Sequence, residues 1–288
     1  MKEQIIMKKA IVILLAALMV LSLVACGKKE TQKQTLTVAM SPDFAPLEFV
    51  DTSKSGQEQY VGFDVTLANF LAEELGMNLE IKPMSFDACM TAVQLGSVDL
   101  GISGFSWTAE RAENFLISDY YIAGENETEQ AVITTKDKEN TIKEAAGFAG
   151  LKVGAQDASL QKQLVTDELV SQGAELVVYK SIDDAVLALQ TGKIDALAVA
   201  QGNGEAIIAN NPDLAFTGFQ FEVDPLYKNN VILLNQQSTE LLEKVNAALA
   251  KAMEAGYYDG WYEDAKALSG IPTAADVSYD DEGNAISE

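Results

Sequence analysis

The 288-residue chain carries 43 Asp and Glu against 20 Lys and Arg, a formal net charge of -23 that argues against nucleic acid as a partner. It contains no histidine, so Ser-His-Asp and Cys-His nucleophilic chemistry and histidine-based metal sites are all absent, and neither a metal nor a cofactor is expected. The two cysteines are Cys26 and Cys89.

Taken in chain order, Lys8 and Lys9 precede a charge-free apolar run over residues 10–25. The run is short against the ~20 apolar residues of a bilayer span and stops at a small residue, so 1–25 reads as a secretory signal peptide. Leu23-Val24-Ala25-Cys26 resembles the lipobox of bacterial lipoproteins, which implies cleavage before Cys26 and lipidation of its thiol. An uncleaved N-terminal anchor is the alternative. Either way the bulk of the chain lies outside the membrane, and with Cys26 acylated, Cys89 has no disulfide partner. Residues 26–35 then form the lipid anchor and a polar linker, and residues 270–288 an acidic tail. What remains exceeds a typical domain of ~150 residues and suggests two lobes.

Between the tether and the tail, short apolar runs alternate with helical patterns, the mark of an α/β fold. Residues 36–40 read as a strand. Val65, Ala68, Leu71 and Leu75 share one helical face that Gly76 closes. A strand over 79–81 follows, then a helix capped by Ser85 that carries Phe86, Cys89, Met90 and Val93, ended by Gly96 before a strand over 98–102. The stretch Ala92-Val93-Gln94-Leu95-Gly96-Ser97-Val98-Asp99 is echoed at 188–195, and the strand opening at Leu36 is echoed at Leu151. Two echoes in the same order point to two halves of one design, although a glycine-ended helix leading into a strand looks alike in any α/β protein.

A wider likeness spans about residues 36–266. Its pieces are Ser41-Pro42-Asp43-Phe44-Ala45-Pro46-Leu47-Glu48-Phe49, Val61-Gly62-Phe63-Asp64-Val65, and Ser103-Gly104-Phe105-Ser106-Trp107-Thr108-Ala109-Glu110-Arg111-Ala112. Asp119-Tyr120-Tyr121, Leu151-Lys152-Val153-Gly154 and the helix over 241–256 followed by Trp261 continue it. In this order and spacing the chain resembles the polar amino-acid-binding proteins of bacterial ABC importers. The resemblance implies a type II periplasmic-binding-protein-like fold: two α/β lobes joined by a two-strand hinge, with lobe one at 36–124 and 229–269 and lobe two at 125–228. It further implies a monomer on the outer face of the cell membrane. This monomer closes by hinge motion on an amino acid or small carboxylate and delivers it to a permease.

Nineteen of the twenty basic residues are lysine, and the lone arginine is Arg111. Its planar fork can meet a carboxylate bidentately, as a lysine cannot, and its place in the motif matches the family's carboxylate clamp. An exposed helix residue paired with Glu110 or Glu113 is the plainer reading. Thr108 can cap a helix, and Ser103, Gly104 and Ser106 form a loop able to aim amides and a hydroxyl at the same carboxylate. Ser159 matches a ligand-donating hydroxyl of the family but also reads as a helix N-cap, with Ala158 in place of the usual glycine. Phe44 and Phe86 match aromatic walls and could equally be core; Trp107 is a further wall candidate. Positions where many members place an acid for the ligand's amino group hold Ser41 and Ala200. Asp43, Glu48, Gln201 and Glu205 are the possible replacements, and Glu48 equally suits the framework. An enzyme on the same fold, a ligand sensor and an adhesion protein are the rival classes, but no carboxylate pair is singled out by spacing for acid-base work.

Overall fold

The structure is a computed structural model that describes residues 33–121 and 129–272, with the short pieces 278–279 and 285–286. The expected signal peptide, Cys26, most of the linker and most of the tail lie outside the described residues. From Thr35 onward the chain forms one compact unit.

Strand β1 (Thr35–Met40) buries Leu36, Val38, Ala39 and Met40 completely. Three short strands, β2 (Asp43–Phe44), β3 (Glu48–Val50) and β4 (Tyr60–Val61), pair antiparallel beyond its end. Helix α1 (Phe63–Glu74) starts where a Cβ on Gly62 would lie 2.3 Å from the Leu47 carbonyl oxygen, so only glycine fits there. Its predicted inner face is correct, with Val65, Ala68 and Leu71 buried. Next come β5 (Asn78–Pro83), α2 (Phe86–Gln94), β6 (Leu100–Gly101), α3 (Ala109–Asn114) and β7 (Leu116–Ile117). The strand expected over 98–102 shrinks to two residues, because only Leu100 and Gly101 find partners on β1. Ser85 takes the N-cap position of α2, yet its hydroxyl binds the Asp87 carboxylate at 2.7 Å instead of a backbone amide.

The second set begins with β8 (Gln130–Thr135) and β9 (Lys152–Gln156), followed by α4 (Leu160–Leu164) and β10 (Glu175–Tyr179). It continues with α5 (Ile182–Gln190), β11 (Ala196–Ala200), α6 (Gln201–Asn210) and β12 (Leu214–Gln220). The chain then returns through β13 (Leu233–Leu234) to helices α7 (Thr239–Glu254) and α8 (Tyr257–Ser269).

Two five-stranded sheets result, ordered β5-β1-β6-β13-β7 and β10-β9-β11-β8-β12. In each, the second strand is flanked by two parallel neighbours and the fourth runs antiparallel. The repeated aspartates occupy equivalent places: Asp99 accepts from the Thr37 amide at 2.7 Å and Asp195 from the Lys152 amide at 2.9 Å. The two lobes are therefore built to one plan around separate cores. Lobe one, the β1 sheet, packs α1, α7 and α8, with Val245, Ala248, Leu249 and Ala252 of α7 in the core and an aromatic cluster of Phe63 against Tyr121, Tyr258, Trp261 and Tyr262 joining α1 to α8. Lobe two, the β9 sheet, closes over Phe148, Phe219 and Phe221 on one face.

Candidate functional site

Parallel strands of open α/β sheets carry their ligand sites beyond their carboxyl ends. Here β1, β6 and β9 end at Met40, Gly101 and Gln156, and the loops that follow them meet around a narrow pocket with about 20 Å³ of room. Lobe one supplies Ser41, Asp43, Phe44, Glu48, Phe86, Ser103, Gly104, Ser106 and Arg111; lobe two supplies Gln156, Ser159, Leu160 and Gln161. Room for about one water is too little for an amino acid, so a ligand of that size requires the lobes to part. A wider groove of about 620 Å³ adjoins the pocket through Arg111, Ser159 and Leu160.

Arg111 sits in the first turn of α3, whose N-cap Thr108 accepts from the Arg111 amide at 3.1 Å. Its side chain turns inward and is 6% exposed. The guanidinium donates to the Ser106 carbonyl at 2.6 Å and, across the lobes, to the Ala158 carbonyl at 3.0 Å. The rings of Phe86 and Phe105 flank it at 5.6 and 5.4 Å. Among the described residues no carboxylate forms an ion pair with it. Burial pulls its pKa down to about 10, against a weaker opposing pull from the charge of nearby Glu110, which marks a desolvated cation.

Beneath the pocket lies a polar framework. The Ser103 hydroxyl accepts from the Ser41 amide at 3.0 Å and donates to Glu48 Oε1 at 2.5 Å. Asp64 Oδ2 accepts from the Gly104 amide at 2.8 Å and the Tyr121 hydroxyl at 3.0 Å. The remaining oxygens, Glu48 Oε2 and Asp64 Oδ1, have no protein donor, and both residues are fully buried. The two carboxyls interact directly, and a proton retained on one of them gives the other a donor. Burial, aided by the neighbouring Asp64, holds the Glu48 pKa well above the usual range, and burial lifts Asp64 to about 6. Asp64, with two donors, keeps the charge near neutral pH, and Glu48 is the protonated member. Glu48 is thus a framework residue.

Seven of the eight residues expected at the site from sequence line this pocket. Gln201 does not: it starts α6, and its amide turns to Glu205 at 3.2 Å. Three of the seven have their polar groups committed elsewhere. The Gly104 amide and Ser103 hydroxyl serve the framework. The Ser159 hydroxyl donates to the Gln156 carbonyl at 2.7 Å and caps α4 by accepting from the Lys162 amide at 3.1 Å. Phe86 is both wall and core, 4.7 Å from Phe105. Phe44 closes against Gly104, where a Cβ would come within 3.1 Å of its ring. Trp107 lines neither cavity and instead stacks at 6.5 Å on Tyr227. Among the described residues no group of carboxylates or cysteine could hold a metal.

Gln156 and Gln161 were missed from sequence. Their signal was position, at the end of a strand and in the first turn of the helix that follows. Asp43 is more than a wall residue: its carboxylate accepts from Ser41 Oγ at 2.8 Å, Gln156 Nε2 at 3.3 Å and the Ile182 amide at 2.8 Å. Burial raises its pKa against these bonds.

The signature of the family described as bacterial extracellular solute-binding proteins, family 3, matches residues 36–264. The chain belongs to that family. The arginine-binding extracellular protein ArtP of Bacillus subtilis is 31% identical over 252 residues, which cover 86% of this chain and 93% of ArtP. An amino acid ABC transporter substrate-binding protein, AbpA of Streptococcus pneumoniae, solved with L-arginine, superposes with a TM-score of 0.74. It shares 35% identity, with 83% of this chain and 97% of AbpA covered. An ancestral arginine-binding protein solved with glutamine gives a TM-score of 0.71 at 31% identity, covering 81% of this chain and 97% of its own. This family 3 protein is thus a two-lobed solute-binding protein.

Proposed function

We propose that this family 3 protein receives an amino acid between its lobes and presents it to the permease of an ABC importer. In this reading lobe one comprises 36–124 with 229–269 and lobe two 125–228, which agrees with how the chain allots its strands. Lipid on Cys26 tethers a monomer to the outer face of the membrane. One observation carries the reading: Arg111 is a buried cation, placed where the lobes meet, that forms no ion pair among the described residues. A ligand carboxylate supplies the partner anion, and the planar guanidinium can hold it bidentately. Phe44 and Phe86 wall the ligand's side chain. With Ala200 in place of an acid and Glu48 protonated, Asp43 is the pocket's remaining carboxylate and faces the ligand's amino group.

Relatives that bind arginine make L-arginine the first probe, and the glutamine complex of an ancestral relative makes L-glutamine the second. A thermal-shift panel on residues 27–288 tests the proposal with L-arginine, L-glutamine, L-histidine and propionate. At 100 times Kd a ligand stabilises by ~2.7 kcal/mol, a shift of a few degrees. Selective stabilisation by one amino-acid class supports the reading; propionate as the sole binder moves the ligand to simple carboxylates, and silence across the panel overturns it.

A further inference from the structure

Two bonds join the lobes beside the pocket, one through Asp43 of its wall and the other, between Lys180 and Asp87, beyond its lining. Lys180 lies between β10 and Ser181, the N-cap of α5. Its Nζ stands 2.6 Å from Asp87 Oδ2, in the first turn of α2 in lobe one, and 2.8 Å from Asp157 Oδ2 of its own lobe. Two residues on, the Ile182 amide at the start of α5 donates to Asp43 Oδ2 of lobe one at 2.8 Å. Ser181 accepts from the Asp183 amide at 3.1 Å and its hydroxyl also bonds Asp43, so lobe one completes the start of α5 at both the cap and the first amide. Both contacts put a lobe-one carboxylate against positive charge, an ammonium in one case and the positive end of a helix in the other.

Asp157 makes the arrangement one-sided. It holds Lys180 with one oxygen and Lys162, at 2.8 Å, with the other. Lys180 therefore has an anionic seat on lobe two, and Asp87 is the partner gained when the lobes meet. Neither Lys180 nor Asp87 lines the narrow pocket, and Asp87 borders only the outer groove.

We propose that Lys180–Ile182 is a latch on lobe two, with Asp87 and Asp43 of lobe one as its catches, and that Lys180 and Asp87 are positioning residues that set ligand affinity without touching the ligand. The proposal rests on the reading that the lobes part to admit a ligand. Lys180 is 61% exposed and Asp87 32%, so their bridge is worth only roughly two- to five-fold in affinity. A contact made after closure acts on the dissociation rate and weakens with salt.

The experiment compares wild type with Lys180→Met, Asp87→Asn and the double variant, each carrying spin labels on Glu73→Cys and Lys193→Cys. Without ligand, each single variant should lose short inter-lobe distances, and the double variant should lose no more than either. With L-arginine, dissociation should speed up roughly two- to five-fold in each single variant, again without addition in the double, and association should be unchanged. Superimposable distance distributions with unchanged dissociation overturn the latch, as do effects that add in the double variant. If L-arginine does not bind at all, the proposed ligand falls, and the ligand-free distances alone decide the latch.

Discussion

The two lobes share a strand order and an aspartate at the same junction, yet they bring different chemistry to the pocket. Lobe one brings charge and rings: Arg111, Asp43, Phe44 and Phe86, above the buried pair of Glu48 and Asp64. Lobe two brings neutral amides and helix starts: Gln156 and Gln161, with Gln161 donating to Gln130 at 2.7 Å, and the capped turn at Ser159. Duplication conserves what packing demands and leaves the loops after the strands free to differ. In the proposed function lobe one holds the ligand's charge and lobe two covers it.

The most severe test of this asymmetry is Arg111→Ala. Removing the partner of a buried ligand carboxylate should weaken L-arginine binding by about 3 kcal/mol, more than 100-fold, in calorimetric titration. Arg111→Lys should recover only part of it, because a point charge lacks the fork.

The charged floor of lobe one makes a second test by pH. Asp64 rises from 3.8 unfolded to about 6 folded, so its contribution is full below pH 3.8 and is lost as pH rises through about 6. At 1.36 kcal/mol per unit, wild type should lose up to about 3 kcal/mol relative to Asp64→Asn between pH 4 and pH 7, measured by urea unfolding. Parallel stability curves would show that no carboxyl pair titrates there. Glu48→Gln keeps a donor facing Asp64 and should stay near wild type at pH 7.

On the lobe-two side, Gln161→Ala should cost about 1 kcal/mol of binding, the worth of a neutral hydrogen bond. A loss equal to that of Arg111→Ala would abolish the distinction between the lobes. The smallest expected effect is at Ala158, which holds φ +60 where glycine is at ease. Ala158→Gly should raise the free energy of unfolding, measured by urea denaturation, by up to about 1 kcal/mol with affinity unchanged.

Much of this was legible in one dimension. The apolar period of β1 and α1, the glycine closing α1 at φ 66 and the repeated Gly-to-Asp junctions report local physics, and the lone arginine was conspicuous by composition alone. What sequence could not give was where hydroxyls and amides spend their bonds. Ser103, Gly104 and Ser159 sit at the pocket as expected, but long-range or capping partners had already claimed their polar groups. Gln201 failed for the reverse reason, since its helix turns it toward Glu205. Glu48 was open between ligand and framework until Asp64, 16 residues on, proved to share its burial.

The sequence by itself determined the alternation of strands and helices, the duplicated plan and the residue able to grip a carboxylate, because these follow from periodicity, capping and side-chain type. Only the tertiary structure decided that Arg111 is buried without an ion pair, that Glu48 and Asp64 are buried side by side, and that Asp87 meets Lys180. Each of these depends on desolvation or on contact between segments far apart in the chain, and neither is written in local order.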